Sequence, residues 1–204
     1  MNKHKLLASV RLGLGVVSLG AILVQLISSI SRGSSVSNFF SFFTIQSNLV
    51  AALLLVTVGA YILLGKSGRT VAYLRGALTL YMTMTGVIYV LLLSGYEQAL
   101  QTTIPAVNII LHYIMPVVIL ADWLAFPPDK KLLFRIALVC WLAYPLLYLA
   151  YSLIRGAITG WYPYPFINPT LSGWPNLIGT SLTIALGSLA LTWLLVQRTS
   201  VRRR

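Results

Sequence analysis

Acidic side chains are nearly missing from this chain: 204 residues hold three Asp and Glu in all, against 15 Lys and Arg. Charge of either sign makes up only 9% of the residues, while 58% are hydrophobic and the mean hydropathy is +0.85. A soluble domain of this length needs far more polar surface, so that class is excluded and an integral membrane protein is indicated. Cysteine occurs once, at Cys140 inside an apolar run, which excludes an intramolecular disulfide. With two histidines, three acids and one cysteine scattered along the chain, no metal set and no cofactor are expected.

What is abundant is long apolar sequence. Hydropathy divides the chain into six stretches, near residues 7–30, 39–64, 72–94, 105–126, 132–155 and 174–196. Each has about 20 residues or slightly more, enough to cross a hydrocarbon core of about 30 Å with some tilt. No hydrophilic segment between them is long enough for a separate soluble domain. The expectation is therefore an all-α, polytopic membrane protein, residues 1–204 forming one six-helix domain. The first stretch is long, and no clear small-residue cleavage site follows it, so it reads as a retained span rather than a signal peptide. Gly13, Gly15 and Gly20 within it suggest close helix contact, and Gln25 suggests an interhelical hydrogen bond.

The basic residues are distributed unevenly. Lys3, Lys5 and Arg11 flank the first span, Lys66, Arg69 and Arg75 the second loop, Lys130, Lys131 and Arg135 the fourth, and Arg198, Arg202, Arg203 and Arg204 the tail. Only Arg32 and Arg155 fall on the other side. With an even number of spans this bias places both termini in the cytoplasm, and a cytoplasmic (plasma) membrane follows if the source is bacterial. The net charge of +12 then reads as a topology signal and lipid-headgroup contact, not as a nucleic-acid site.

Against this apolar background the stretch FFSFFTIQSNLV, residues 39–50, is unusually polar for the end of a span. Ser37, Ser41, Thr44 and Asn48 recur at helical spacing, which predicts one polar helix face. Polar groups at membrane depth face protein or water rather than lipid. The fourth span answers with NIILHYIMP, where Asn108 and His112 lie one turn apart. Thr44 about five residues into its span and His112 about seven into its own should both sit roughly 7–11 Å below the outer edge. The third span adds a Tyr81, Thr85, Tyr89 stripe, and the fifth adds Tyr144, Tyr148 and Ser152. Pro116 cannot donate to the His112 carbonyl, so a kink is expected there.

Each of these residues also has an ordinary explanation. A membrane threonine commonly bonds a carbonyl one turn back, amides such as Asn48 and Asn108 join helices, and boundary tyrosines anchor to headgroups. Asp122 lies ten residues from His112, about 15 Å along a straight helix, too far for direct contact. It is expected to meet water or one of Lys130, Lys131 and Arg135 near the cytoplasmic end. The segment GWYPYPFINPTLSGWP alternates aromatics with prolines and reads either as a stiff cap over the outer end or as an interfacial belt.

FFTIQSNL, LHYIMPV followed by DW, and GWYPYPFINP, in that order, resemble the bacterial branch of the six-span family called Pr6Pr. That branch is similar to the androgen-induced and androgen-dependent TFPI-regulating membrane proteins of animals. The resemblance covers nearly the whole chain in span number and order, while the sequence after the threonine, QSN, departs from the animal pattern. It implies a hydrolase of fatty acid esters, with Thr44 in the place of the family's threonine nucleophile and His112 in that of its histidine. Chemically, a threonine hydroxyl needs a base, which His112 would supply. Asn48, Asn108, Tyr89 and Tyr148 are candidates for substrate binding or for stabilising an oxyanion. The expected partners are membrane lipids, with a fatty acid ester as substrate. The rival class is a non-enzymatic membrane protein: a lipid-binding module, small-solute carrier or assembly factor. Polarity concentrated toward one side argues against a carrier, whose polar residues continue through the midplane.

Overall fold

A computed structural model describes residues 3–64, 68–97, 104–128 and 130–199, with Lys3 and His4 as helix backbone only. Lys66 and Arg202 to Arg204, part of the basic pattern, lie outside the described residues, as does the side chain of Lys3. All regular structure among the described residues is helical, and six helices are long and apolar enough to cross a membrane. The first span is α1 (Lys3–Ser31). A four-residue helix α2 (Val36–Phe39) precedes the second, α3 (Phe43–Leu63). The third is α4 (Arg69–Ile88), continued by a π-helical turn over Tyr89–Leu93. The fourth is composite, with α5 (Pro105–Ile109), a second π turn (Ile110–Ile114) and α6 (Met115–Ala125). The fifth is α7 (Phe134–Thr159). A 3₁₀ turn (Pro165–Ile167) then leads into α8 (Pro169–Arg198).

The second span begins four residues later than its hydropathy suggests. Ser35 caps α2 by accepting from Asn38 N–H, and Phe42 then adopts an extended conformation that restarts the chain as α3. Ser37 and Ser41 therefore do not share a helix with Thr44 and Asn48, and the predicted four-residue stripe is broken. Apolar phenylalanines on both sides of the break hide it from any hydropathy profile. At the other end of the sequence, α8 starts at Pro169 and contains a kink at Gly173, whose φ of 73° is costly for any other residue. The apolar stretch near 174 marks that kink rather than the helix start.

Close approaches set the packing. Gly15 meets the Ala52 carbonyl and Val56 of α3, whereas Gly13 and Gly20 have no such neighbour. At Gly76 a Cβ would sit 2.1 Å from the Trp141 ring, so only glycine lets α4 seat that buried indole. Burial is uneven: 56% of the third span's apolar window is buried, against 17% for each of the last two spans.

One end of the bundle is held by charge. Arg11 of α1 donates Nε and Nη2 to Asp122 Oδ1 at 3.0 and 2.8 Å, and Nη2 also reaches Oδ2 at 3.0 Å. Arg75 of α4 donates to Asp122 Oδ2 at 2.8 Å and to the Phe126 carbonyl at 2.9 Å. Asp122 thus ties three spans together, and its partners are Arg11 and Arg75, not Lys130, Lys131 or Arg135. The reason is depth: Arg11 and Arg75 lie a turn or two inside their helices, level with Asp122, where desolvation favours a paired carboxylate. At the same end Leu132 N–H donates to Thr199 Oγ1 at 3.3 Å and Arg198 Nη2 donates to the Leu124 carbonyl at 2.8 Å. The start of α1 and the end of α8 therefore lie at the Asp122 end.

Candidate functional site

The opposite end is built around the start of α3. Phe42 offers no side-chain cap, so the first N–H groups of the helix need other acceptors. Two tyrosine hydroxyls supply them. Tyr148 of α7 accepts from Phe43 N–H at 3.1 Å, and Tyr164 accepts from Thr44 N–H at 3.2 Å. Tyr148 in turn donates to the Ser41 carbonyl at 2.9 Å, and the Ser41 hydroxyl shares a 2.8 Å hydrogen bond with Tyr151. Burial holds the Tyr164 phenol above its ordinary range, with the hydrogen bonds to the Thr44 side chain and backbone drawing it partly back. Tyr164 stacks on Phe166, meets Phe42 edge-on, and is buried together with Ile167. Of the two readings of the aromatic–proline segment, this part is a cap tucked into the bundle, while Trp174 stays exposed as a belt residue would.

Thr44 and the two tyrosines lie together on the wall of a cavity of about 750 Å³ between α4, α7 and α8, which Ser181 and Ser188 of α8 also line. Tyr81 and Thr85 also line it; most of the remaining wall is aliphatic. Val139, Leu146, Leu182 and Leu186 are wall residues that are at least 59% exposed, so the cavity opens sideways between α7 and α8 onto the lipid-facing surface.

His112 stands nearby in a different setting. It lies in the second π turn, where the donor missing at Pro116 is accommodated by widening of the helix. Its ring stacks on Tyr89, which opens the first π turn, at 3.9 Å between centroids and 25° between planes. Gly86 permits this approach, since a Cβ there would come within 2.9 Å of Pro116. His112 Nδ1 is 3.2 Å from the Asn108 carbonyl oxygen. Asn108 Nδ2 donates to the Tyr89 hydroxyl at 2.6 Å, which donates to Glu97 at 3.0 Å. The Gly95 N–H and the Tyr89 hydroxyl hold the Glu97 carboxyl below its usual range. The second groove, about 350 Å³ between α4 and α6, has His112 and Thr83 among its lining.

The pairing expected of Thr44 and His112 is therefore only partly present. They lie at the same end of the bundle, and Asn48 Nδ2 bridges their segments by donating to the Thr44 carbonyl at 2.9 Å and the Leu111 carbonyl at 3.2 Å. No hydrogen bond joins the two side chains, and they line different cavities rather than one. The cause is the late start of α3 together with the π turn, which aims His112 at Tyr89. Among the proposed oxyanion donors, the Asn48 amide hydrogens are committed to those carbonyls, and the hydroxyl protons of Tyr89 and Tyr148 to Glu97 and Ser41. Asn108 directs its amide to Tyr89, outside the Thr44 cavity. Sequence reasoning did not single out Tyr164 or Glu97 as site residues. For Tyr164 a signal existed in the Tyr-Pro-Phe segment; for Glu97, a lone acid in a loop, none did.

No protein-family model, curated protein or solved structure matches this chain.

Proposed function

We propose that the protein binds a lipid-like amphiphile, its acyl chain entering sideways from the bilayer and its polar group lodging at Thr44, Tyr148 and Tyr164. The observation that carries this reading is the cavity: mostly aliphatic, with Thr44, Tyr148 and Tyr164 gathered on its wall at the start of α3, and open to the lipid-facing surface. Its volume fits the range of small-molecule sites, whose few polar groups set orientation. With both termini cytoplasmic, as the basic residues argue, the ligand comes from the outer leaflet. Lipid extraction from purified protein, followed by mass spectrometry, tests the binding. Co-purifying acyl lipid that is lost on Leu182→Trp supports it, and wild type free of any acyl species after purification from native membrane counts against it. Labelling of single cysteines in a Cys140→Ser background tests the orientation.

Hydrolysis of a fatty acid ester is the second reading, favoured by Thr44 standing beside Tyr148 and Tyr164 on the wall of the cavity. In it the Thr44 Oγ attacks the ester carbonyl carbon, the alcohol leaves with a proton, and water releases the fatty acid from the acyl-threonine. The gap between Thr44 and His112 weighs against direct proton transfer in this conformation. Thr44→Ala separates the two readings. Under hydrolysis it abolishes fatty acid release while bound lipid persists; under binding alone wild type releases none.

A further inference from the structure

The groove between α4 and α6 is separate from the Thr44 cavity and has a polar group of its own. Gly86 and Pro116 both line it, close together because Gly86 carries no Cβ. Val90, Leu91 and Val117, each at least 50% exposed, make its rim toward the lipid-facing surface. Its volume of about 350 Å³ lies at the lower end of small-molecule sites.

His112 gives this aliphatic groove its chemistry. Its Nδ1 lies 3.2 Å from the Asn108 carbonyl oxygen, which can only accept, so the nitrogen carries the proton and donates. In the neutral ring, a proton on Nδ1 leaves Nε2 as an acceptor. Nε2 has no hydrogen-bond partner among the described residues, and it is not sealed inside the protein as the Thr83 hydroxyl of the same wall is. Stacking on Tyr89 occupies a face of the ring, whereas the Nε2 lone pair points outward in the ring plane. An acceptor in such a groove selects its ligand by the donor that the ligand must bring. Esters, ethers and carboxylates set lone pair against lone pair, and an ammonium brings an uncompensated charge to membrane depth. A hydroxyl satisfies the site without charge.

We propose that the α4–α6 groove binds a lipid-soluble alcohol, its hydroxyl donating to His112 Nε2 and its hydrocarbon lying along Val87, Val90 and Val117. The site does not depend on what occupies the Thr44 cavity. Tyr113, also on the wall and 42% exposed, is the competing partner for a hydroxyl and is therefore part of the test.

The test uses octanol carrying a diazirine on its chain, and the methyl ether of the same molecule, which has lost the donor. Each is photolysed with protein in neutral detergent at pH 8, above the ordinary histidine range, and the adducts are mapped by mass spectrometry. In wild type the alcohol labels the α4 and α6 wall at a concentration about fivefold or more below that of the ether, in keeping with one hydrogen bond in an apolar setting. His112→Phe, which keeps a ring against Tyr89, removes the difference, and Tyr113→Phe keeps it. Val117→Trp at the rim lowers labelling of this groove, whereas Leu182→Trp at the mouth of the other cavity does not. A second measurement needs no change in the groove and decides if the phenylalanine variant does not fold. In His4→Gln protein with isotopically labelled histidine, His112 is the one histidine left; octanol shifts its Nε2 NMR signal upfield and the ether does not. Displacement of the photolabel by decanol assigns a chain alcohol, and displacement by a sterol assigns a ring alcohol. Equal labelling by alcohol and ether overturns the site, as does a preference undiminished in His112→Phe or lost in Tyr113→Phe. An unmoved Nε2 signal, labelling confined to α7 and α8, or a label that neither competitor displaces overturns it equally.

Discussion

The two ends of this bundle are joined by different chemistry. At the Asp122 end, one carboxylate receives two guanidinium groups from separate spans, and the side chains involved are 4–17% exposed. Around the start of α3, at the Thr44 end, the joints are neutral: tyrosine hydroxyls on helix N–H groups, Asn48 on two carbonyls, and Ser47 on Thr85 at 3.1 Å. A buried ion pair fixes geometry at high stakes, because losing one partner strands the other. Neutral hydrogen bonds are individually weaker and leave room for a cavity whose polar wall can exchange partners with a ligand. The difference places rigidity at one end and a candidate binding site at the other.

The sharpest way to break that comparison is Asp122→Ala. It strips Arg11 of its carboxylate partner and Arg75 of one of its partners, and the expected loss is about 3–5 kcal/mol of stability, read as a lower midpoint in detergent-unfolding curves. Combining it with Arg11→Met should cost less than adding the single effects, since the pair acts together. Second in size is Gly76→Ala, whose Cβ would collide with Trp141; overpacking of this kind costs about 1–3 kcal/mol, measurable by the same unfolding curves.

Tyr164→Phe comes next. It removes the acceptor for Thr44 N–H and leaves a helix donor unpaired, at a cost of about 1–3 kcal/mol. It should also weaken retention of bound acyl lipid, which Asp122 variants that remain folded should not do. The smallest expected change in stability belongs to Leu182→Trp at the exposed mouth of the cavity, within about 0.5 kcal/mol of wild type. Its effect falls on function: co-purifying lipid, quantified by mass spectrometry, should drop several-fold. If Leu182→Trp instead leaves bound lipid unchanged, ligands do not enter between α7 and α8.

Much of this was legible before the fold was known, and the places where it was not are instructive. Thr44 and His112 at one end of the bundle follow from counting residues along apolar spans. That the two side chains face different cavities does not, because it depends on an extended residue at Phe42 and on a π turn before Pro116. Neither changes the hydropathy of its segment. The Asp122 reading failed for a related reason: nearby basic residues in the sequence were weighed above distant ones at matching depth. Its true partners stand 111 and 47 positions away.

Composition and the spacing of apolar runs by themselves determined the class and the six spans, since the bilayer imposes length and hydrophobicity on each segment separately. Which polar groups pair was decided only by tertiary structure. Hydrogen bonds and ion pairs are directional and short-ranged, so a one-residue widening of a helix or a four-residue delay in its start reassigns every partner. The sideways opening of the cavity is of the same kind, set by how loosely α7 and α8 lean on α4, a relation between helices that no single segment encodes.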